Sequence, residues 1–367
     1  MRVVVVLFLS VISLARSQET ARWKLQYFYD QDHSTFTIAD LKFASPQRGI
    51  AVGAIIDRGE IKPMSAITTD GGANWSLVPL KEPGVSLFFL NESLGWLVTT
   101  KGVWRTEEAG RSWRKIKAPS GIASVHFLDA DHGWAVGNRK QIYQTSNGGA
   151  DWVKADFTEQ VKSNPEHTQF AWIEFENKTT GLIGGWSKPP RRTTQRLPDW
   201  VDPDEASQRR AWPQLGILLV TTDGGKTWKP STGSVFGQIT AAKFSSKTWS
   251  VTLIEFSDAF DWPSEVMLWN GGASTRIYRE KDRKVTDIVV AGPLKTTIYL
   301  AAVEHFGKLQ NLPIPRKVKI LRSDDTSHWT EMEVDYRATA RRVMLATAGA
   351  NEIWAATDTG MILKLSP

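Results

Sequence analysis

An eight-residue segment recurs four times along the chain and constrains its fold more than any other feature. The copies share the pattern Thr-x-acid/amide-x-Gly-x-x-Trp and lie at 68–75, 106–113, 145–152 and 221–228. We call each copy an octet. Successive octets are 38, 39 and 76 residues apart, so the last interval is one repeat plus an insertion. A period of about 40 residues is typical of one blade of a propeller.

The residue types within the octet indicate a hairpin turn, because each copy lies between two short apolar runs. An Asp or Asn can accept backbone N–H bonds across its own turn, a Gly can take positive φ, and a Trp can cover the hairpin. The predicted structural residues are Asp70, Gly72 and Trp75; Glu108, Gly110 and Trp113; Asn147, Gly149 and Trp152; and Asp223, Gly225 and Trp228. Glu108 is one methylene too long for this role, which predicts a weaker second turn.

A second shared pattern precedes each octet and extends to the rest of the chain. Apolar residues at i, i+3 and i+5 are followed by a turn and a Gly-rich strand, most clearly at Ile38/Leu41/Phe43 and Ile122/Val125/Phe127. Further copies begin at Val85/Phe88/Leu90, Phe170/Ile173/Phe175, Ile239/Ala242/Phe244, Val285/Ile288/Val290 and Val343/Leu345. Seven starts, each followed by further short strands, predict an all-β chain folded as a seven-bladed β-propeller.

The seventh repeat predicts how the ring closes. It ends at 362–365 with no octet and no fourth strand, whereas residues 20–25 resemble residues 226–229, where the fourth octet leads into its fourth strand. We therefore expect an N-terminal strand to pair in the last blade, and residues 18–367 to form a single domain with a long loop insertion at 187–215.

Residues 1–17 have the pattern of a signal peptide. Arg2 precedes an apolar stretch at 3–14, and Ala15-Arg16-Ser17 places small residues where signal peptidase reads. We expect cleavage near Ser17 and a secreted or periplasmic protein with no transmembrane segment in the mature chain. An uncleaved membrane anchor is the alternative, although the stretch is shorter than the roughly 20 residues that a spanning helix needs.

Composition excludes several classes of site. The chain has no Cys, so it has neither disulfides nor thiolate metal sites, and its six His show no metal-binding spacing. We therefore predict no cofactor and no metal. The net charge of +6 mildly favours anionic partners but is too small, without a binding motif, to indicate nucleic acid. We expect a monomer that binds a protein or peptide.

The octets resemble the Asp-box, or BNR, repeat of sialidases and sortilin-type receptors. With seven repeats and the strand Gly133-Trp134-Ala135-Val136-Gly137, the chain most resembles the photosystem II stability/assembly factor family and its relatives in non-photosynthetic bacteria. The resemblance covers about residues 20–366. It implies that the octets are structural and not catalytic, and that the protein is a non-enzymatic scaffold or assembly factor binding a partner polypeptide, often at a membrane surface.

The order of strands predicts where a partner would bind. Octets join third to fourth strands, so loops between second and third strands lie on the opposite side of the disc. The long ones are predicted at 57–64, 138–141, 187–215, 255–264 and 303–317. The insertion at 187–215 is rich in Arg and Trp, which are enriched in interface hot spots. The candidate partner-binding residues are Arg191, Arg192, Arg196, Trp200, Arg209, Arg210 and Trp212, with Arg139, Lys140, Arg341 and Arg342 extending a basic rim. A solvated loop with two packed tryptophans is the alternative for the insertion.

A glycoside hydrolase or sialidase-like enzyme with a site at the axial pocket is the alternative function. A sialidase needs three arginines and a Tyr nucleophile, and Tyr336-Arg337 with Arg341 and Arg342 is the pairing available. Another glycosidase needs two carboxylates about 5 to 10 Å apart, for which Asp258, Asp261 and Glu265 are candidates. His126 takes the inner-strand position of Lys42, Glu174 and Lys243, so we expect it to line the channel in a structural role.

Overall fold

Seven four-stranded antiparallel sheets contain all the strands of the described chain. The structure is a computed structural model, and it describes residues 21–188, 213–246, 249–256, 262–270, 273–304, 316–335, 337–349 and 352–366. Each sheet is one blade, and in six of the blades the four strands follow one another in sequence. The predicted all-β, seven-bladed propeller is confirmed.

The strands divide among the blades as follows. β1 (Arg22–Phe28) belongs to blade 7. Blade 1 contains β2 (Ser34–Ser45), β3 (Arg48–Asp57), β4 (Glu60–Thr68) and β5 (Ser76–Pro79); blade 2, β6 (Gly84–Phe89), β7 (Gly95–Thr99), β8 (Gly102–Thr106) and β9 (Arg114–Ile116). Blade 3 contains β10 (Ile122–Phe127), β11 (Gly133–Gly137), β12 (Gln141–Thr145) and β13 (Val153–Lys154); blade 4, β14 (Thr168–Phe175), β15 (Gly181–Ser187), β16 (Gln214–Thr221) and β17 (Lys229–Val235). Blade 5 contains β18 (Gly237–Ser246), β19 (Trp249–Phe256), β20 (Ser264–Trp269) and β21 (Ser274–Tyr278); blade 6, β22 (Arg283–Ala291), β23 (Thr297–Glu304), β24 (Val318–Ser323) and β25 (Thr330–Met332). Blade 7 is completed by β26 (Val343–Thr347), β27 (Ile353–Thr357) and β28 (Met361–Ser366). Two 3-10 helices, Asp156–Gln160 and Pro165–His167, lie between blades 3 and 4.

The N-terminal strand closes the ring as the sequence predicts. β1 pairs antiparallel with β28, placing Trp23 opposite Leu365. Trp23 is buried, and its N–H donates to Glu333 O of blade 6 at 2.9 Å. The first strand of the chain therefore joins the last blade to the one before it.

A β-bulge explains the unusual i, i+3, i+5 pattern of the inner strands. In each of blades 1 to 6 the pairing of the first two strands slips by one residue near the start of the inner strand, as between Ile38 and Asp40. The extra residue returns the side chain at i+3 to the same side of the sheet as i. β26 pairs with β27 without a slip, and its pattern is the plain alternation of Val343 and Leu345.

The inner strand of blade 2 lies one residue from its predicted alignment. Leu87, not Phe88, is the buried large side chain of β6, and Val85 is exposed. The first apolar position is occupied by Gly84, where a Cβ would lie 2.7 Å from Val52 Cβ. Because a glycine replaces the first residue of the pattern, the prediction of Val85/Phe88/Leu90 was wrong by one position.

The two sides of the disc differ in the connections that they carry. Octets lie beside the turns joining first and second strands, since Gly71 N–H donates to Gln47 O at 3.0 Å and Gly148 N–H to Asp131 O at 2.9 Å. We call this side the octet face. The opposite side, the loop face, carries the turns joining second and third strands and the connections between blades. Lys188, where the insertion begins, donates its N–H there to His167 O at 2.9 Å.

One predicted loop on the loop face is instead a tall hairpin. β3 continues to Asp57 and β4 starts at Glu60, so only Arg58 and Gly59 form the turn. Both have positive φ, at 49° and 88°, as a tight two-residue hairpin requires. The predicted long loop at 57–64 was wrong, because β3 and β4 stay paired as a regular ribbon up to this turn.

Candidate functional site

The octets are closed hydrogen-bonded turns. In the first copy, Thr68 Oγ1 accepts from Gly72 N–H and donates to Asp70 Oδ1, both at 2.9 Å, and Asp70 Oδ1 accepts from Asn74 N–H at 2.9 Å. The bonds from Asn74 hold the pKa of Asp70 below its usual range. The fourth copy repeats this geometry, and bonds from Thr227 lower the pKa of Asp223 to about 2. These carboxylates are therefore used within their own turns.

The second and third copies show what the acid or amide contributes. Asn147 Oδ1 accepts from Asp151 N–H at 2.9 Å, so the amide keeps the bond across the turn. Glu108 instead accepts from the Ser112 hydroxyl at 2.7 Å, and among the described residues no bond from Ser112 N–H reaches its carboxylate. The longer side chain reaches past the backbone, as its length predicts.

Each octet Trp packs on a Phe that covers a glycine of the same blade. The edge-on pairs Phe43–Trp75, Phe127–Trp152 and Phe175–Trp228 have ring centroids 5.8 to 6.2 Å apart. The Phe rings lie directly over Gly49, Gly133 and Gly181, where an added Cβ would come within 2.4 to 2.6 Å of the ring. In blade 2 the Phe89 ring lies over Gly95 in the same way, and Trp113 packs on Phe89 with the ring centroids 6.4 Å apart. The octets thus fasten the third and fourth strands to the first two.

The octet glycines also face the preceding blade. A Cβ on Gly72 would lie 2.0 Å from Trp354 of blade 7, and one on Gly225 would lie 2.3 Å from Trp134 of blade 3. A Cβ on Gly149 would lie 2.7 Å from Ile116 of blade 2. All have positive φ, between 79° and 92° for the four octets. Space and backbone conformation both require glycine here.

Titratable side chains lie at equivalent positions of four inner strands, facing the axial channel. Each directly precedes the Phe at the last apolar position of its inner strand, and the four are Lys42, His126, Glu174 and Lys243. Lys243 Nζ is 2.9 Å from Glu174 Oε2, and this ion pair joins blades 4 and 5. Because each charge has a partner, the pKa of Glu174 is lowered and that of Lys243 is raised despite their burial.

His126 lines the channel in the structural role that the sequence predicts. Its ring lies 4.5 Å from the Phe88 ring and 5.2 Å from the Phe175 ring, measured between centroids. Burial lowers the pKa of His126 to about 4. The imidazole is therefore neutral at physiological pH and packs as an aromatic residue.

Side-chain bonds between neighbouring blades are a feature that sequence reasoning missed. Asp40 Oδ2 accepts from Leu87 N–H of blade 2, and Asp287 Oδ2 accepts from Leu345 N–H of blade 7, both at 2.8 Å. Trp172 Nε1 donates to Ile239 O of blade 5 at 2.9 Å. All three follow the bulge directly, two residues after the first apolar position of their strand. A hydrogen-bonding residue at that position is the signal that would have found them.

The structure describes four of the predicted partner-binding residues, namely Arg139, Lys140, Arg341 and Arg342. Arg191, Arg192, Arg196, Trp200, Arg209, Arg210 and Trp212 lie outside the described residues. Arg139 is exposed at the turn joining β11 and β12 and forms an ion pair with Glu166. Lys140, in the same turn, is only 5% exposed, and its N–H and ammonium donate to Thr168 O and Ser163 O. Lys140 therefore supports the turn and not the surface charge expected of it.

Arg341 and Arg342 are exposed where the chain enters blade 7. Arg341 N–H donates to Asp358 Oδ1 at 2.9 Å, which fixes the backbone and leaves the side chain out of that bond. Arg342 Nη1 lies 3.2 Å from Glu255 Oε1, and Lys284 Nζ lies 2.9 Å from the other oxygen of the same carboxylate. These contacts join blades 5, 6 and 7 on the loop face, with one more cation than carboxylate.

Among the described candidates for a hydrolase, Arg337, Arg342 and Glu265 are paired within the protein. Arg337 binds both oxygens of Asp335, at 3.0 and 2.7 Å, and Glu265 Oε2 is 3.4 Å from Arg279 Nη1. Tyr336, Asp258 and Asp261 lie outside the described residues. Within the described ranges, no group of three or more His, Asp or Glu side chains is placed to hold a metal ion. In the same part of the chain, no helix has the length and hydropathy to cross a membrane.

Comparisons with solved structures identify the fold. The structure of YCF48 bound to D1 peptide matches with a TM-score of 0.59 and 15% sequence identity, over 93% of this chain and 99% of that chain. YCF48 from Cyanidioschyzon merolae matches with a TM-score of 0.58 and 16% identity, over 95% and 99%. This chain shares the seven-bladed propeller fold of YCF48. YCF48 is a photosystem II assembly factor, so the fold implied by the sequence resemblance is confirmed.

Other matches show how widely this architecture is used. The C-terminal WD40 domain of Sif2 matches with a TM-score of 0.54 and 10% identity, over 91% of this chain and 97% of that domain. The sequence matches no model of a known protein family and no curated protein. Because one fold serves many functions, function must be argued from the surface of this chain.

Proposed function

We propose that this chain is an exported, non-enzymatic binding scaffold or assembly factor that recognises a partner polypeptide on its loop face. The observation that carries the proposal is the structural similarity to YCF48 bound to D1 peptide, which extends over 93% of this chain. A propeller of this shape, with its blades joined by internal bonds, offers a rigid disc on which a peptide can be bound.

The distribution of polar groups supports the choice of the loop face. On the octet face, Asp70, Asn147 and Asp223 are used in hydrogen bonds within their own turns. On the loop face, Arg139 and Arg341 are exposed. The sequence between β15 and β16 contains the further arginines and tryptophans named as candidates above, which lie outside the described residues. Exposed guanidinium groups can bind carboxylates through two parallel bonds, so an acidic or C-terminal carboxylate-bearing polypeptide is the proposed partner class.

Export is the second part of the proposal. The signal-peptide pattern of residues 1–17 supports it, and cleavage near Ser17 would leave β1 free to close the ring from residue 22 onwards. N-terminal sequencing of the protein recovered from the envelope or medium tests this. A mature protein starting near residue 18 is expected, and a chain retaining residues 3–14 would indicate a membrane anchor instead.

Charge reversal tests the binding face. We expect the double variant Arg139→Glu/Arg341→Glu to lose most of its capture of a partner in pull-downs from the native envelope fraction, because like charges then face each other at the interface. Deletion of residues 188–213 should have the same effect. The matched control is Arg111→Glu/Lys226→Glu, which reverses two exposed charges on the octet face. Equal loss in both charge variants, or full capture by both loop-face variants, would contradict the proposal.

A further inference from the structure

Blade 1 rises well above its neighbour on the loop face. Counted from the glycine at the start of the second strand, β3 continues for eight residues after Gly49, whereas β7 continues for four residues after Gly95. At about 3.3 Å per residue, blade 1 is taller than blade 2 by roughly 13 Å. The upper part of the β3–β4 hairpin therefore has no part of the blade 2 sheet beside it.

An interblade row of apolar side chains continues into this upper part. Ile50 and Val52 of β3 and Ile67 of β4 pack against Leu87, Leu97 and Trp104 of blade 2. Ile56 and Ile61 have the same parity on these strands, so they point towards the blade 2 side, and they lie directly opposite each other. Their exposed fractions are 42% and 60%, because blade 2 ends below them.

The other side of the same hairpin is covered. Phe36 and Ile55 are buried in the cluster that contains Trp354 and Met344 of blade 7, and Tyr29 packs against it. Ile56 and Ile61 thus continue the apolar row that is buried between blades 1 and 2. They lie where a taller blade 2 would pack. A polypeptide segment presenting apolar side chains would complete this interface.

The charge beside the isoleucine pair selects among such segments. Lys101 is exposed in the turn joining β7 and β8, and Lys81 is exposed in the connection entering blade 2. Lys81 and Lys115 lie 5.6 and 5.4 Å from the centroid of the Trp104 ring, and Lys115 Nζ is 2.7 Å from Glu82 Oε1. Three lysines against one carboxylate leave the upper edge of blade 2 positively charged.

We propose that Ile56 and Ile61, with Lys81 and Lys101, form a docking site for an extended segment of the partner that alternates apolar and acidic residues. In an extended segment, side chains alternate between two faces. The apolar face covers the isoleucine pair, and the carboxylates face the lysines. This inference rests on the proposed function and places one contact of the partner at the step between blades 1 and 2.

Synthetic peptides test the site directly. Fluorescence anisotropy would measure binding of a labelled peptide of alternating Val and Glu, compared with peptides of alternating Ser and Glu and of alternating Val and Lys. We expect the Val/Glu peptide to bind about tenfold or more tightly than either, since it alone supplies both the apolar contact and the charge. Equal affinity for the three peptides would overturn the inference.

Variants identify the residues responsible. Ile56→Thr/Ile61→Thr keeps β-branched side chains in the strands, and we expect it to weaken Val/Glu binding about tenfold. Lys101→Glu should weaken it independently, and Val153→Thr, which changes a side chain 72% exposed on β13, should not. Unchanged binding by the isoleucine variant and by Lys101→Glu would contradict the site.

Further measurements test for other occupants of the site and distinguish this inference from the proposed function. Isoleucine-dependent binding to anionic lipid vesicles without peptide binding would assign the pair to a membrane, and isoleucine-dependent self-association in sedimentation would assign it to a second copy. Either result would overturn the peptide assignment. Partner capture that depends on Arg139 and Arg341 but not on the isoleucines would refute this inference and leave the proposed function standing.

Discussion

The octet face and the loop face are built from the same seven repeats but use their residues differently. On the octet face, Thr68, Asp70 and Gly72 bond to one another, and Gly72 has no room for a Cβ beside Trp354. On the loop face, Gly59 has almost the same φ as Gly72 but no atom within 4 Å of an added Cβ. At these two positions the octet turn packs tightly against the neighbouring blade, whereas the loop-face turn leaves open space beside its glycine.

The two glycines give the most severe test of this comparison. Gly72→Ala combines backbone strain with a Cβ 2.0 Å from the Trp354 ring, so we expect the free energy of unfolding to fall by about 2 to 5 kcal/mol. Gly59→Ala introduces only the strain of a positive φ, so we expect its free energy of unfolding to fall by about 1 to 2 kcal/mol. Chemical denaturation of both variants measures the difference. Equal losses would mean that the contact with Trp354 does not constrain the ring.

Acid should weaken the fold through the channel residue His126. Its pKa is about 4 in the folded chain and about 6.5 when unfolded, so the unfolded chain binds the proton first as pH falls. Stability is therefore fully present above about pH 6.5 and is lost as pH falls towards 4, by roughly 2 kcal/mol at pH 5. His126→Gln removes this contribution. Comparing the two unfolding free energies at pH 7.5 and pH 5 checks it, and parallel loss in both proteins would assign the acid sensitivity to other groups.

Most of the fold could be predicted because its signals are local and repeated. The octets, the seven inner strands and the closing strand β1 all have short sequence patterns. Contacts that depend on the neighbouring blade could not be predicted. The bonds of Asp40 and Asp287 reach backbone groups far away in sequence. How far the β3–β4 hairpin rises above its neighbour depends on the lengths of strands in both blades.

The surface of the loop face was harder to predict than the fold. Lys140 has the charge of a surface residue, yet it is buried and its ammonium donates to Ser163 O. Arg342 is bound to Glu255, which the sequence places 87 residues away. Charge alone indicates neither burial nor pairing, so the sequence predicts the composition of this face better than its geometry.

A smaller effect is expected from repairing the irregular octet. Glu108→Asp shortens the side chain so that it can accept from Ser112 N–H, as Asp70 accepts from Asn74 N–H. One additional hydrogen bond should raise the free energy of unfolding by about 0.5 to 1.5 kcal/mol. Thermal unfolding of the variant beside the wild type measures this. A lower melting temperature would show that the second turn has adapted to glutamate.

The smallest change in stability is expected on the loop face. Arg139→Glu breaks an exposed ion pair with Glu166, which should cost no more than about 1 kcal/mol. The same variant should bind the partner less well. A large loss of stability would mean that Arg139 helps to hold the fold together, which would contradict its assignment to partner binding alone.

Hydrogen–deuterium exchange of the protein with its captured partner tests the central claim most directly. We expect slower exchange in the loop-face turns around Gly59, Lys101 and Arg139 when the partner is bound, with no change in the four octets. Protection confined to the octets at 68–75, 106–113, 145–152 and 221–228 would contradict a division of the disc into a fastening face and a binding face.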